Sequence, residues 1–100
     1  MLEVEQFRDE ITGFCESQPI TRLGIFGSAV SDNFNSKSDV DVLVVFEKSE
    51  DFDHFNKYFE VKEGLEDIFH RPVDLVVDKP FRNPYFQKVV DRTRRIIYER

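Results

Sequence analysis

Residues 23–46, LGIFGSAVSDNFNSKSDVDVLVVF, constrain this chain more than any other stretch of it. An apolar run over residues 23–26 stops at Gly27-Ser28. After a polar loop, Asp39-Val40-Asp41 opens a second apolar run over residues 42–46. Short runs of branched and aromatic residues, bounded by glycine and a polar loop, read as two buried strands. Both parities of the second run are apolar, which places that strand at the centre of a sheet covered on both faces. Strand side chains alternate, so Asp39 and Asp41 project from one face with α-carbons about 6.5 Å apart. Two carboxylates leaving a hydrophobic strand side by side repel each other and lose hydration, and Lys37 is the one cation close to them in sequence. A hard divalent cation such as Mg2+ resolves that repulsion by taking carboxylate oxygens.

The Gly-Ser pair supplies the other half of a phosphate site. Gly27 has no β-carbon, so the backbone can turn sharply and let a ligand come close. Ser28 is a favoured N-cap for a short helix over residues 29–33. Free N–H groups at such a start, with the hydroxyl, suit a phosphate oxygen. The Gly-Lys-Ser/Thr signature of a P-loop is missing. Lys37, in the loop, is read as solvated, with a reach to phosphate as the alternative.

Around this centre the periodicity alternates between helix and strand. Residues 2–17 place Val4, Phe7, Ile11 and Phe14 at helical spacing, an amphipathic helix that Pro19 ends. An acidic start over residues 49–53 opens a second helix, marked by Phe52, Phe55, Phe59, Leu65, Ile68 and Phe69. Gly64 inside it costs about 1 kcal/mol against alanine unless it marks a kink or tight packing. Residues 73–77, Val-Asp-Leu-Val-Val, form a third strand in which Asp74 interrupts an apolar run. Beside the second strand Asp74 completes three converging carboxylates; the alternative is an ion pair with Arg71 or Lys79. A last helix spans residues 83–93, opened by Pro84, with Val89 and Val90 facing the core. The segment from Arg95 to Tyr98 has the character of an edge strand. Cys15 reads as a small core residue, and the isolated His54 and His70 as surface or boundary residues without metal-ligand spacing.

Composition bounds the rest. One hundred residues make one domain, 1–100, and a 40% apolar content with eleven phenylalanines supports a packed core. A single cysteine excludes an internal disulfide and a cysteine-based zinc site. No stretch resembles a signal peptide or an apolar run of membrane length, which points to the cytoplasm and away from the membrane. The net charge of −6 argues against direct nucleic-acid binding. Residues 1–78 carry 7 basic against 18 acidic side chains, while residues 79–100 carry 7 basic against 2 acidic. An acidic body with a basic end can steer an anionic ligand or an acidic protein surface.

Gly27-Ser28 followed by Asp39-Val40-Asp41 and an apolar strand resembles the signature of the DNA polymerase beta superfamily of nucleotidyltransferases, in its minimal, MNT-type form. The resemblance covers the whole chain, including the Val73-Asp74-Leu75-Val76 strand, the trio Asp32, Asn33 and Phe34, and the ending around Arg82-Asn83-Pro84-Tyr85-Phe86. Ser31 departs from it, because many members have arginine there. The resemblance implies an α/β fold with a mixed β-sheet packed by α-helices. It also implies that Asp39 and Asp41 hold two Mg2+ ions, joined by Asp74 as ligand and general base, and that Gly27 and Ser28 cradle the ATP phosphates. Minimal members are often paired with a HEPN-type toxin and transfer AMP to one of its tyrosines, acting as antitoxins. The competing readings are an inactive binding module that neutralises its partner by contact, and a nucleotidyltransferase acting on a small molecule or nucleic acid.

Overall fold

Strand β2, Val40–Phe46, lies in the interior of a four-stranded sheet. The structure is a computed structural model that describes residues 2–35, 37–48 and 53–100, without the side chain of His54. The sheet order is β3-β2-β1-β4, where β1 is Ile20–Phe26, β3 is Val73–Val77 and β4 is Arg95–Glu99. β1 runs antiparallel to both β2 and β4, whereas β3 lies parallel to β2. A parallel neighbour needs a crossover of a dozen residues or more. That crossover contains α2, His54–Phe69. The mixed α/β architecture, the central second strand and the edge position of the last strand are all as the sequence predicts.

The two faces of the sheet divide by side-chain parity. One face carries Leu23, Ile25, Val40, Val42, Val44, Val73, Leu75 and Ile97 into the main core. Onto it pack Ile11 and Cys15 of α1 (Arg8–Glu16) and Val61, Leu65, Ile68 and Phe69 of α2. The other face holds a smaller cluster of Phe26, Leu43 and Val90, with Val76, Phe81 and Phe86 against it. Val90 and Phe86 come from α3, Pro84–Thr93. Among the described residues no polar or charged side chain is buried. Cys15 is wholly enclosed, and burial pushes its thiol pKa up to about 12, as an inert core residue requires.

Several local expectations are corrected. The first helix begins as a 3-10 turn over Val4–Phe7 and becomes α-helical only at Arg8, although Val4 and Phe7 still pack on the core. Such turns are frequent at helix N-termini. In α2 the buried stripe is Val61, Leu65 and Ile68 with Tyr58 half-buried, and Phe55 and Phe59 lie off that stripe, 72% and 45% exposed. Their aromatic spacing matched a helix but not its buried side. The acidic start over residues 49–52 lies outside the described residues, and Asp53 caps α2 by accepting from the Asn56 N–H. Of the two α3 valines expected to face the core only Val90 does so, while Val89, one residue away on the helix, is 44% exposed. Pro84 opens α3 as the sequence indicates, and Asn83, expected inside the helix, is its cap. Gly64 marks tight packing: a β-carbon there would meet the Phe14 ring at 2.3 Å.

Candidate active site

Three neighbouring strand positions form a row across the sheet on the α3 side. Phe26 of β1 sits opposite Asp41 of β2, and Asp41 is in register with Asp74 of β3. Neighbouring strands are about 4.8 Å apart, so the two carboxylates stand side by side. Asp39 precedes the strand by one residue and is exposed, with the parity of Asp41. Among the described residues, Asp39, Asp41 and Asp74 enter no ion pair. The alternative partners of Asp74 are engaged elsewhere or unpaired. Arg71 donates from Nη1 to the Asn35 and Ser38 carbonyls and lies 4.5 Å over the Phe34 ring, holding the loop that leads into Asp39.

Burial, the neighbouring Asp74 charge and, more weakly, Asp39 raise the Asp41 pKa; a hydrogen bond from the Ser28 backbone N–H pulls it partly back. That pattern marks a carboxylate whose charged form its surroundings disfavour. The donor set fits a hard cation in its chemistry, since carboxylate oxygens side by side without a cationic neighbour are ligands for Mg2+. It is an open set: among the described residues no three acidic, histidine or cysteine side chains close into a ready chelating group. Asp41 and Asp74 are brought together, and Asp39 stands beside them.

The Gly27-Ser28 turn lies directly against these carboxylates. Gly27 has φ of 62°, a left-handed conformation, and a β-carbon on it would fall 2.7 Å from Asp41 Oδ2. Glycine is therefore required twice, for the turn and for the space. Here the structure corrects the helix expected over residues 29–33. The turn is a 3-10 helix over Gly27–Val30, Ser28 lies inside it, and no side chain caps it. Nor are the first amides free. The Gly27 N–H donates to Thr93 Oγ1 at 2.8 Å, and the Ser28 N–H is taken by Asp41. A polar loop cannot be extrapolated as a helix when its hydroxyls turn back on themselves: Ser31 Oγ accepts from the Asn33 N–H, and Ser38 Oγ from the Asn35 N–H.

Thr93 is the residue that sequence reasoning missed. Its hydroxyl accepts from Gly27 and itself donates to the Val89 carbonyl at 2.6 Å, tying the end of α3 to the turn. No local pattern connects positions 27 and 93; only the return of α3 over the sheet does. A threonine in the last turn of a helix reads as neutral filler.

Residues 8–99 match the family described as nucleotidyltransferase domain. The chain is 34% identical over 76 residues to MJ0128 of Methanocaldococcus jannaschii, a proposed protein adenylyltransferase, covering 76% of this chain and 74% of that one. It is 29% identical over 102 residues to the protein adenylyltransferase MntA of Thermococcus cleftensis, covering 98% and 97% of the two chains. Among solved structures, a toxin-antitoxin with AMP-PNP superposes with a TM-score of 0.69 at 17% identity, over 93% of this chain and 73% of that one. The MNT antitoxin complex with a tri-AMPylated Shewanella oneidensis HEPN toxin does so with 0.62 at 16% identity, over 96% and 72%. At such identities the likeness speaks for the fold alone. The Gly-Ser turn, the adjoining carboxylates and a family match over nearly the whole length agree, and the chain belongs to the nucleotidyltransferase domain family.

Proposed function

We propose that this protein transfers AMP from ATP to a hydroxyl of a partner protein, a tyrosine of a HEPN-type toxin, and so acts as its antitoxin. One observation carries the reading: Asp41 and Asp74 stand in register on one sheet face, with Asp39 beside them and the Gly27 turn against Asp41. The names of the relatives, protein adenylyltransferases at up to 34% identity, support it. Asp39, Asp41 and Asp74 would hold Mg2+, which when bound supplies charge stabilisation to the reacting phosphate. The Gly27-Ser28 turn positions the triphosphate tail. The acceptor oxygen attacks the α-phosphorus, the bond to the bridging oxygen breaks, and pyrophosphate leaves. Asp74 is the more exposed of the paired carboxylates and takes the hydroxyl proton as the oxygen attacks.

A contact-only antitoxin is the second reading. Ser31 in place of the frequent arginine favours it, as do the Gly27 and Ser28 amides already engaged by Thr93 and Asp41. Incubation with ATP, Mg2+ and the toxin encoded beside it separates the two, with intact-mass spectrometry of the toxin as readout. Addition of the mass of AMP is expected. A neutralised toxin of unchanged mass would establish the contact-only reading.

A further inference from the structure

The two flanks of α3 are built differently. On one, Gln87 accepts from the Phe81 N–H and donates to Asp91, and Arg94 pairs with Asp78 and Asp91. That flank finds its ion pairs within the molecule, although Arg94 Nε has no acceptor. The other carries Tyr85, Lys88, Val89 and Arg92, which share one stripe at helical spacing. Tyr85 is 78% and Val89 44% exposed, and Lys88 and Arg92 are exposed as well. Among the described residues neither cation enters an ion pair or a hydrogen bond, whereas Arg8, Arg22, Lys57, Lys62, Arg94 and Arg100 are all paired with carboxylates. In a chain with 20 acidic side chains, two cations left bare beside two exposed apolar groups are a surface awaiting something.

Its position says what. Phe86 and Val90 point down into the cluster with Phe26, on the same sheet face as Asp41 and Asp74. Thr93, on the Val89 side of the helix, touches Gly27, so the bare flank borders the site. We propose that this flank of α3, through Tyr85, Lys88, Val89 and Arg92, docks an acidic, partly apolar segment of the acceptor polypeptide beside the three aspartates. The proposal rests on the adenylyl-transfer reading for the word acceptor, and on charge and exposure for the surface itself. Charge complementarity selects an acidic segment, because the stripe carries two unpaired cations and no acidic side chain. A nucleic acid is disfavoured by the net charge of −6 and by a stripe half apolar.

The test uses two short fluorescein-labelled peptides. Each carries one tyrosine and two leucines, flanked in one by aspartate and glutamate and in the other by lysine. Anisotropy is measured against wild type, Lys88→Glu/Arg92→Glu, and the milder Lys88→Ser/Arg92→Gln and Tyr85→Ser/Val89→Ser, which guard against misfolding. The acidic peptide should bind wild type and lose about tenfold or more in affinity in the reversal variant, with partial losses in the milder two. The Mg-ATP thermal shift should be kept in all of them. Equal binding of the acidic peptide to wild type and variants overturns the proposal. So does loss of the Mg-ATP shift in the neutral variant, which would give the cations to the nucleotide. Tighter binding of a labelled oligouridine, abolished by the reversal, or a wild-type dimer in sedimentation that the reversal dissolves, would give the flank to RNA or to a second copy and overturn it too. Peptide docking without AMP transfer to any toxin would leave this surface standing and remove only the transfer reading.

Discussion

The two faces of the sheet solve different problems. The face under α1 and α2 is hydrocarbon throughout: Leu23, Ile25, Val42, Val44 and Leu75 meet Ile11, Val61 and Leu65, all buried. The face under α3 has a small apolar patch and then gives way, within one row of residues, to Asp41 and Asp74. The first face supplies stability; the second spends some of it on holding like charges together. A single strand serves both, because Val40, Val42 and Val44 point one way while Asp41 and Leu43 point the other. The chemistry can therefore sit on a rigid element without a polar group entering the main core.

If this division is real, substitutions on the two faces should separate function from stability. The largest effect is expected at Asp39→Asn and Asp41→Asn. On the proposed reading each removes a charge that would hold metal, a contribution of several kcal/mol to the barrier. AMP transfer should fall by about a thousandfold or more, at a factor of ten per 1.4 kcal/mol, while circular dichroism and urea unfolding stay close to wild type. A variant that neutralised the toxin as well as wild type, with neither adding AMP, would break the comparison. The opposite face is probed by Leu65→Ala, which should cost about 2–5 kcal/mol of unfolding free energy. Transfer per folded molecule should be unchanged, and a loss of activity in the remaining folded fraction would show the faces to be coupled.

Thr93→Val tests the connection between α3 and the turn. It leaves the half-buried Gly27 N–H without its acceptor, at a cost of about 1 kcal/mol or somewhat more. Transfer should fall with a raised KM for ATP, and Thr93→Ser, which restores the hydroxyl, should recover both. Failure of serine to rescue would assign the effect to packing alone.

The smallest effect is a pH dependence in metal-free protein. The Asp41 pKa is raised in the folded state by burial and by Asp74, so the native protein binds that proton more readily than the unfolded chain. Stability then falls as pH rises from the ordinary carboxylate value to the raised one; the penalty is complete above that window and absent below it. Asp41→Asn should melt slightly higher than wild type at neutral pH in chelator, with the advantage gone near pH ~3. An advantage independent of pH would mean that the charge is not its source.

Much of this was legible in the sequence because it is local. The strand at Val40–Phe46, the Gly27-Ser28 break, the Pro84 helix start and the Val73–Val77 strand each announce themselves within a few residues. The register of Asp41 with Asp74 was implied only through strand adjacency. What stayed illegible depends on contacts far along the chain. Phe55 and Phe59 have helical spacing, but the buried stripe is chosen by what α2 lies against. The Ser31 and Ser38 hydroxyls satisfy loop amides and remove the reason for a helix. Arg71 is near enough in sequence to pair with Asp74 and instead clasps the loop before Asp39.

The hydrogen bond between Gly27 and Thr93 joins positions 66 residues apart and has a consequence for the order of assembly. Every aspartate of the site, and the Gly-Ser pair, is synthesised by the time β3 emerges. The peg that fixes the Gly27 turn arrives only with the last turn of α3. A chain growing from its N-terminus thus carries the chemistry before it carries the restraint, and long-range closures of this kind form late. Competence at the site is coupled to the arrival of α3 through a threonine hydroxyl, so a nascent or clipped chain ending before α3 would display three aspartates beside an unpinned turn.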